Sequence, residues 1–179
     1  MRVERAREAA LNVLAACRRN GAWIDGALKQ VLKRDGLSGR DAAFASRIAY
    51  GVMQNRIYLD RCLARCLTQR PEKLEPLLLD ILRIGAYQIL FMDKVPVNAA
   101  VNEAVEMAKA HKLSRAAGLV NAVLRNVDRR RGEPLAFADE LEALSVQTSH
   151  PRALVERVVG LLGAEEAEAF LRADNEPVP

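Results

Sequence analysis

Apolar residues recur every three to four positions along most of the chain, which is the spacing of amphipathic α-helices. In the first such segment, about residues 2–19, one stripe collects Val3, Ala6, Ala10, Val13, Leu14 and Cys17. Similar segments follow at about residues 22–34, 38–67, 74–91, 97–110 and 116–130. No segment shows sustained alternation of apolar and polar residues. The pattern therefore predicts an all-α fold.

The segment at residues 74–91 is apolar around more than half of its helical circumference. A helix of this kind is usually buried among others, so we expect it at the centre of a bundle. Gly85 lies inside it, where glycine costs about 1 kcal/mol relative to alanine, and close contact with a neighbouring helix would explain its presence. The segment at residues 38–67 is expected to kink near Gly51 and Asn55. In the segment at residues 116–130, Leu119 is expected to face inward.

The charge of the chain is divided unevenly. Residues 1–133 contain 24 Lys and Arg against 14 Asp and Glu, a net +10, whereas residues 134–179 contain 3 against 9, a net −6. An arginine-rich linker at residues 129–134 separates them, so we predict a basic domain at 1–133 and an acidic helical segment at 134–179. That segment either folds onto the basic face or packs elsewhere. The Pro-rich residues 175–179 are typical of a linker more than of a natural terminus.

The sequence offers little for catalysis. Cys17 lies on an inward stripe, and Cys62 and Cys66 lie one helical turn apart without a histidine or second cysteine pair. We therefore expect reduced thiols, and neither a zinc site nor a nucleophile. No glycine-rich loop joins a strand to a helix, so no cofactor site is expected. Without an apolar run of about 18 residues or a secretory leader, we expect a cytoplasmic protein with no membrane partner.

Exposed basic residues are the better candidates for function. The candidate RNA-binding residues lie on the outer faces of the first helix and of the helix at 116–130, and they are Arg2, Arg5, Arg19, Asn121, Arg125 and Arg129. The small residues Gly118 and Ala122 beside them would let a ligand backbone come close. Guanidinium groups bind phosphates through charge-assisted and often bidentate hydrogen bonds. The pattern therefore favours binding of RNA.

Structural roles compete with RNA contact at two of these positions. Asn121 would serve equally well to cap or cross-link helices, and Arg125 to pair with Glu103 on the preceding helix. Stacking platforms for bases are few, and the main ones are Trp23, Tyr50, Tyr58 and Tyr87. We therefore expect recognition by shape and backbone charge more than base-by-base reading.

Several segments resemble the NusB-like domain that begins the ribosomal RNA small subunit methyltransferase B family. They lie at residues 5–11, 49–53, 82–88, 102–105 and 119–125, the last reading LVNAVLR. The stretch from Ser149-His150-Pro151 onward is similar to the approach to the methyltransferase domain of that family. Ala153 or Leu154 stands where the family usually has a tryptophan. The resemblance covers nearly the whole chain.

The resemblance implies a NusB-like helical bundle followed by a short helical extension. It implies an RNA-binding N-terminal domain of an S-adenosylmethionine-dependent 16S ribosomal RNA (cytosine-C5) methyltransferase. The methyl-donor site and catalytic cysteines of such an enzyme would lie beyond residue 179, so this chain would be neither catalytic nor cofactor-binding alone. Its implied partners are small-subunit ribosomal RNA and its own C-terminal methyltransferase domain.

Two other functions remain open. A stand-alone NusB-type transcription antitermination factor would not need the segment after residue 133. An interdomain scaffold that does not bind RNA would show weak RNA binding with little dependence on Arg5, Arg19 and Arg125.

Overall fold

The computed structural model describes residues 4–176, and within this range the chain forms ten α-helices and no strand. The helices are α1 (Arg5–Asn20), α2 (Ile24–Asp35), α3 (Gly39–Gln54), α4 (Arg56–Ala64), α5 (Pro76–Phe91), α6 (Val97–Ala110), α7 (Ala117–Arg129), α8 (Glu140–Thr148), α9 (Arg152–Leu162) and α10 (Ala164–Asp174). Short 3₁₀ turns at Pro71–Lys73 and Ser114–Ala116 precede α5 and α7. The all-α prediction is confirmed.

The helix α5 lies at the centre of the bundle, as its apolar circumference predicts. It packs against α1, α3, α4, α6 and α7, and Ile81, Leu82 and Ile84 are fully buried. Gly85 allows α7 to pack closely against α5. A Cβ atom at this position would lie 2.4 Å from Cδ1 of Leu124 on α7. The close contact predicted at Gly85 is therefore confirmed, and it sets which face of α7 is turned outward.

The segment at residues 38–67 contains two helices, where the sequence predicts a single kinked one. Asn55 separates α3 from α4, and its side-chain amide donates to the Gly51 carbonyl oxygen at 2.8 Å. Gly51 is required for packing, since a Cβ atom there would lie 1.9 Å from Cζ of Tyr87. The side-chain bond of Asn55 competes with the helical ladder and favours a break over a bend.

Two arginines stabilise the interior of the bundle. Arg7 of α1 is buried, and its Nε donates to Oε1 of Gln88 at 2.7 Å. Arg83 of α5 donates to both carboxylate oxygens of Asp60 on α4 at 2.8 Å. These side chains join helices and are not available to a ligand.

The acidic segment forms a small helical unit with its own apolar cluster of Val155, Val158, Ala167 and Leu171. It packs on the α4 edge of the bundle, where Oε1 of Glu142 lies 2.8 Å from Nη2 of Arg61. The hydroxyl of Ser149 also accepts the backbone N–H of Ile57 at 3.1 Å. Of the two alternatives left open above, packing away from the outer face of α7 is the correct one. The division at residues 133 and 134 stays a prediction.

Among residues 4–176, no helix is both long enough and apolar enough to cross a membrane.

Candidate nucleic-acid interface

The outer face of α7 presents small residues, an amide and two guanidinium groups. The helix turns Val120, Val123, Leu124 and Val127 into the core. Gly118, Ala122, Arg125 and Arg129 are exposed on the other side, and Asn121 is half-buried beside them. Leu119 is also exposed, so its predicted inward orientation is wrong. It lies at the edge of the apolar stripe, and the close contact at Gly85 is made by Leu124 instead.

Arg125 is held between two asparagine side chains. Its Nε donates to Oδ1 of Asn121 at 3.1 Å, and its Nη1 donates to Oδ1 of Asn98 on α6 at 3.4 Å. The alternative pairing with Glu103 is not formed, because Oε2 of Glu103 accepts the backbone N–H of Glu4 at 2.9 Å. Asn121 therefore positions Arg125. Both of these contacts are to neutral oxygens, and within residues 4–176 no carboxylate pairs with the guanidinium.

The other described candidate arginines are held in the same way. Arg129 donates to the amide oxygen of Asn126, Arg5 to the backbone oxygen of Asp35, and Arg19 to the backbone oxygen of Ala15 at 3.3 Å. By contrast, several other arginines of the basic domain contact carboxylates, namely Arg18, Arg34, Arg61, Arg65, Arg83, Arg130 and Arg131. Arg19 and Arg129 thus retain positive charge for a ligand, whereas the charge of Arg5 interacts with the nearby carboxylate of Asp35.

These residues do not meet at one point. Arg125 and Arg129 lie one turn apart on α7. Arg5 and Arg19 lie at opposite ends of α1, about 21 Å apart at 1.5 Å per residue. Arg2 lies outside the described residues. The candidate set therefore divides into a compact group on α7 and separate cations at the two ends of α1.

Sequence reasoning missed Asn98 and misjudged the linker. Asn98 is an exposed polar residue in the first turn of an otherwise Ala- and Val-rich helix, and that position was the available signal. Arg130 and Arg131 are not free linker cations. Nη1 of Arg130 donates to the backbone oxygen of Arg65 at 2.9 Å, and Arg131 pairs with Asp93 at 2.9 Å. The linker is thereby attached to the bundle by a hydrogen bond and an ion pair.

The described cysteines are suited to packing. Cys17, Cys62 and Cys66 are free and partly buried, and burial raises the pKa of each thiol. A raised pKa lowers the thiolate fraction at neutral pH, and the thiolate is the reactive form. Within residues 4–176, no group of three or more His, Cys, Asp or Glu side chains is placed to hold a metal ion.

Comparison with known proteins supplies the family. A sequence profile described as the NusB family matches residues 4–129. The Bacillus subtilis protein named "Probable ribosomal RNA small subunit methyltransferase B" is 36% identical over 168 residues. That similarity covers 93% of this chain and 37% of the relative. The chain thus spans less than two fifths of the length of this relative.

Two solved structures share the fold. The crystal structure of PH0851 has a TM-score of 0.78 at 19% identity, covering 99% of this chain and 40% of that one. The crystal structure of antitermination factors NusB and NusE in complex with dsRNA has a TM-score of 0.64 at 20% identity. It covers 70% of this chain and 94% of that one, so the helical extension lies largely outside its match.

Proposed function

Because this chain belongs to the NusB family, we propose that it is the RNA-binding N-terminal domain of a 16S ribosomal RNA (cytosine-C5) methyltransferase. Its role would be to recognise small-subunit ribosomal RNA and to position it for the reaction. The chain itself would be non-catalytic. A C-terminal methyltransferase domain of the longer protein would bind S-adenosylmethionine and would be its second partner. This role implies a cytoplasmic protein.

The extent of the similarity supports the methyltransferase part of the proposal. The Bacillus subtilis relative matches 93% of the chain, including most of the segment after residue 133. A stand-alone antitermination factor does not need that segment. The small apolar cluster of α9 and α10, and the contacts of α8 and Ser149 with α4, make the segment an integral part of this structure.

One observation carries the RNA-binding part, namely the uncompensated charge of Arg125 on the outer face of α7. The side chain is fixed by Asn98 and Asn121, so little conformational entropy remains to be lost when it binds a phosphate. Gly118 lies about two turns before Arg125 on α7, and a Cβ atom there would meet nothing within 4 Å. A nucleic-acid backbone can therefore approach this face without obstruction.

The test measures the affinity of the chain for a small-subunit ribosomal RNA hairpin and for an antiterminator leader RNA over a series of salt concentrations. For single strands, the logarithm of affinity falls with the logarithm of salt concentration by about 0.7 per phosphate contacted. The double variant Arg125→Gln/Arg129→Gln should therefore bind the hairpin more weakly, with a slope shallower by about 1.4 if each arginine contacts one phosphate.

A matched control is available on the acidic segment. The double variant Arg152→Gln/Arg172→Gln removes the same charge, but these arginines pair with Asp139, Glu156 and Glu168. It should leave the slope unchanged. If the two double variants change the salt slope equally, the net charge of the chain explains the binding and the outer face of α7 is not a specific site. Negligible binding of either RNA would favour an interdomain scaffold, and preference for the leader would favour an antitermination factor, which is what the structural neighbour NusB is.

A further inference from the structure

Trp23 is the only tryptophan of the chain, and its side chain projects into solvent with 87% exposure. It is the residue that precedes α2, and its carbonyl oxygen accepts the backbone N–H of Ala27 at 3.0 Å. The backbone beneath the ring is therefore fixed by the first turn of the helix. Exposure alone is uninformative, because single exposed apolar residues such as Leu161 are ordinary. The surroundings of Trp23 distinguish it.

A cavity of 380 Å³ begins at the two residues before Trp23. Gly21 and Ala22 form part of its lining, together with apolar side chains of α1 and α3. Its volume falls in the range of about 300–1,000 Å³ typical of small-ligand sites. The lining therefore reaches the residue that directly precedes Trp23 in the α1–α2 loop.

The lining of the cavity contains more basic than acidic side chains. Its lining contains three guanidinium groups, from Arg18, Arg56 and Arg83, and one carboxylate, from Asp80. Arg18 and Arg83 both contact that carboxylate, at 3.1 and 3.2 Å. Arg56 is exposed and contacts no carboxylate among residues 4–176. Its charge is available to an anion that enters the cavity.

A second aromatic ring belongs to the same surface. Tyr50 of α3 is 41% exposed, and its hydroxyl donates to the carboxylate of Asp25, two residues after Trp23. Tyr50 lies one helical turn before Met53, which lines the cavity. Aromatic rings beside a positively charged groove are the usual arrangement for binding unpaired nucleotides, whose bases stack on the rings.

The helical extension ends beside this surface. The backbone oxygen of Asn175, next to the last described residue, accepts the side-chain N–H of Gln54 at 2.6 Å. Gln54 lies two residues before Arg56. In the longer protein proposed above, the catalytic domain would therefore begin near the edge of the bundle at which the cavity lies.

We infer that Trp23 and the adjoining cavity form a binding site for an unpaired RNA nucleotide. The base stacks on the Trp23 indole, and Arg56 binds the phosphate at the entrance of the cavity. This site is separate from the outer face of α7, and the two together would distinguish RNA with unpaired nucleotides from continuous duplex. The inference rests on the proposed function.

The single tryptophan makes a direct test possible with the 179-residue chain. Trp23 fluorescence is followed while the chain is titrated with the ribosomal RNA hairpin, and with a duplex of the same stem that lacks unpaired nucleotides. The hairpin should quench the fluorescence because a base stacks on the indole, and the duplex should not.

Variants supply the second measurement. Trp23→Ala should weaken hairpin binding about tenfold, the expected loss of one stacked base, and leave duplex binding unchanged. Trp23→Phe should retain part of the affinity. Arg56→Gln should make the salt slope for the hairpin shallower by about 0.7. Leu161→Ala, which removes a side chain of 83% exposure from α9, is the matched control and should change nothing.

The outcomes separate this inference from the proposed function. Hairpin binding with unchanged Trp23 fluorescence and equal affinity of Trp23→Ala would overturn the nucleotide site and leave the RNA-binding role intact. Equal quenching by hairpin and duplex would overturn the specificity for unpaired nucleotides. Absence of binding by both RNAs would overturn the proposed function and this site with it.

Discussion

The ion-pair network around Arg83 allows one prediction to be worked out in detail. Arg83 of α5 makes a bidentate contact with Asp60 of α4 at 2.8 Å, and it lies 3.2 Å from Asp80. Its side chain is 13% exposed and that of Asp60 is 21% exposed. Burial alone would lower the pKa of Arg83, but its hydrogen bonds and charge interactions with Asp60 and Asp80 together outweigh burial, so the pKa is raised. The substitution Arg83→Met removes the charge and keeps most of the aliphatic chain.

The expected loss follows from what the substitution leaves behind. Removing one partner of a buried ion pair costs about 3–5 kcal/mol, because the other charge remains buried without compensation. Asp80 keeps its contact with Arg18 at 3.1 Å, and Asp60 retains some contact with solvent. We therefore expect the lower end, about 3 kcal/mol in the free energy of unfolding, or about 6–12 °C in Tm for a domain of this size.

The assay is urea denaturation followed by circular dichroism, with a double-mutant cycle. Arg83→Met/Asp60→Leu removes both charges and should recover at least half of the loss, and the Asp60→Leu single variant completes the cycle that gives the coupling energy. Arg172→Met is the matched control. Arg172 also makes two contacts with one carboxylate, that of Glu168, but both side chains are about half exposed, so the loss should stay below about 0.5 kcal/mol. Equal losses for Arg83→Met and Arg172→Met, or no recovery in the double variant, would refute the reasoning.

Two further predictions concern glycines within helices and the reactivity of two cysteines. Gly51→Ala should lower Tm, because overpacking against the Tyr87 ring costs about 1–3 kcal/mol and outweighs the roughly 1 kcal/mol gained in helix propensity. The control is Gly26→Ala, where a Cβ atom meets nothing within 4 Å, and this variant should raise Tm. A higher Tm for Gly51→Ala would contradict this account. Because burial raises the pKa of Cys62 and Cys66, their alkylation by iodoacetamide at pH 7.5 should be slower than that of glutathione and should accelerate as the pH rises. Reaction as fast as glutathione at pH 7.5 would contradict it.

Local periodicity was sufficient to predict the helical architecture. The spacing of apolar residues indicates an all-α chain, because burial of one face follows directly from a 3.6-residue repeat. The apolar circumference of residues 74–91 indicates a central helix, and α5 is central. Gly85 inside it indicates close contact, which Leu124 makes. Each of these features is encoded within a single segment.

The candidate interface was only partly accessible to such reasoning. The sequence places Asn121, Arg125 and Arg129 on the outer face of α7, but their partners come from residues distant in the chain. Asn98, rather than Glu103, holds Arg125, and the Glu103 carboxylate instead accepts the backbone N–H of Glu4. Whether an arginine meets a carboxylate or a neutral oxygen depends on the neighbouring helix, and periodicity carries no information about that choice.

By itself, the sequence determined which segments are helical, which faces are apolar and where charge accumulates. These properties follow from residues within a few turns of one another. Only the tertiary structure decided that Arg7 is buried, that the acidic segment lies on α4, and that Arg56 lines one cavity with Gly21 and Ala22. Those facts depend on which helices pack together. Helix packing depends on how well side chains that are far apart in the sequence fit together, as Gly85 and Leu124 do.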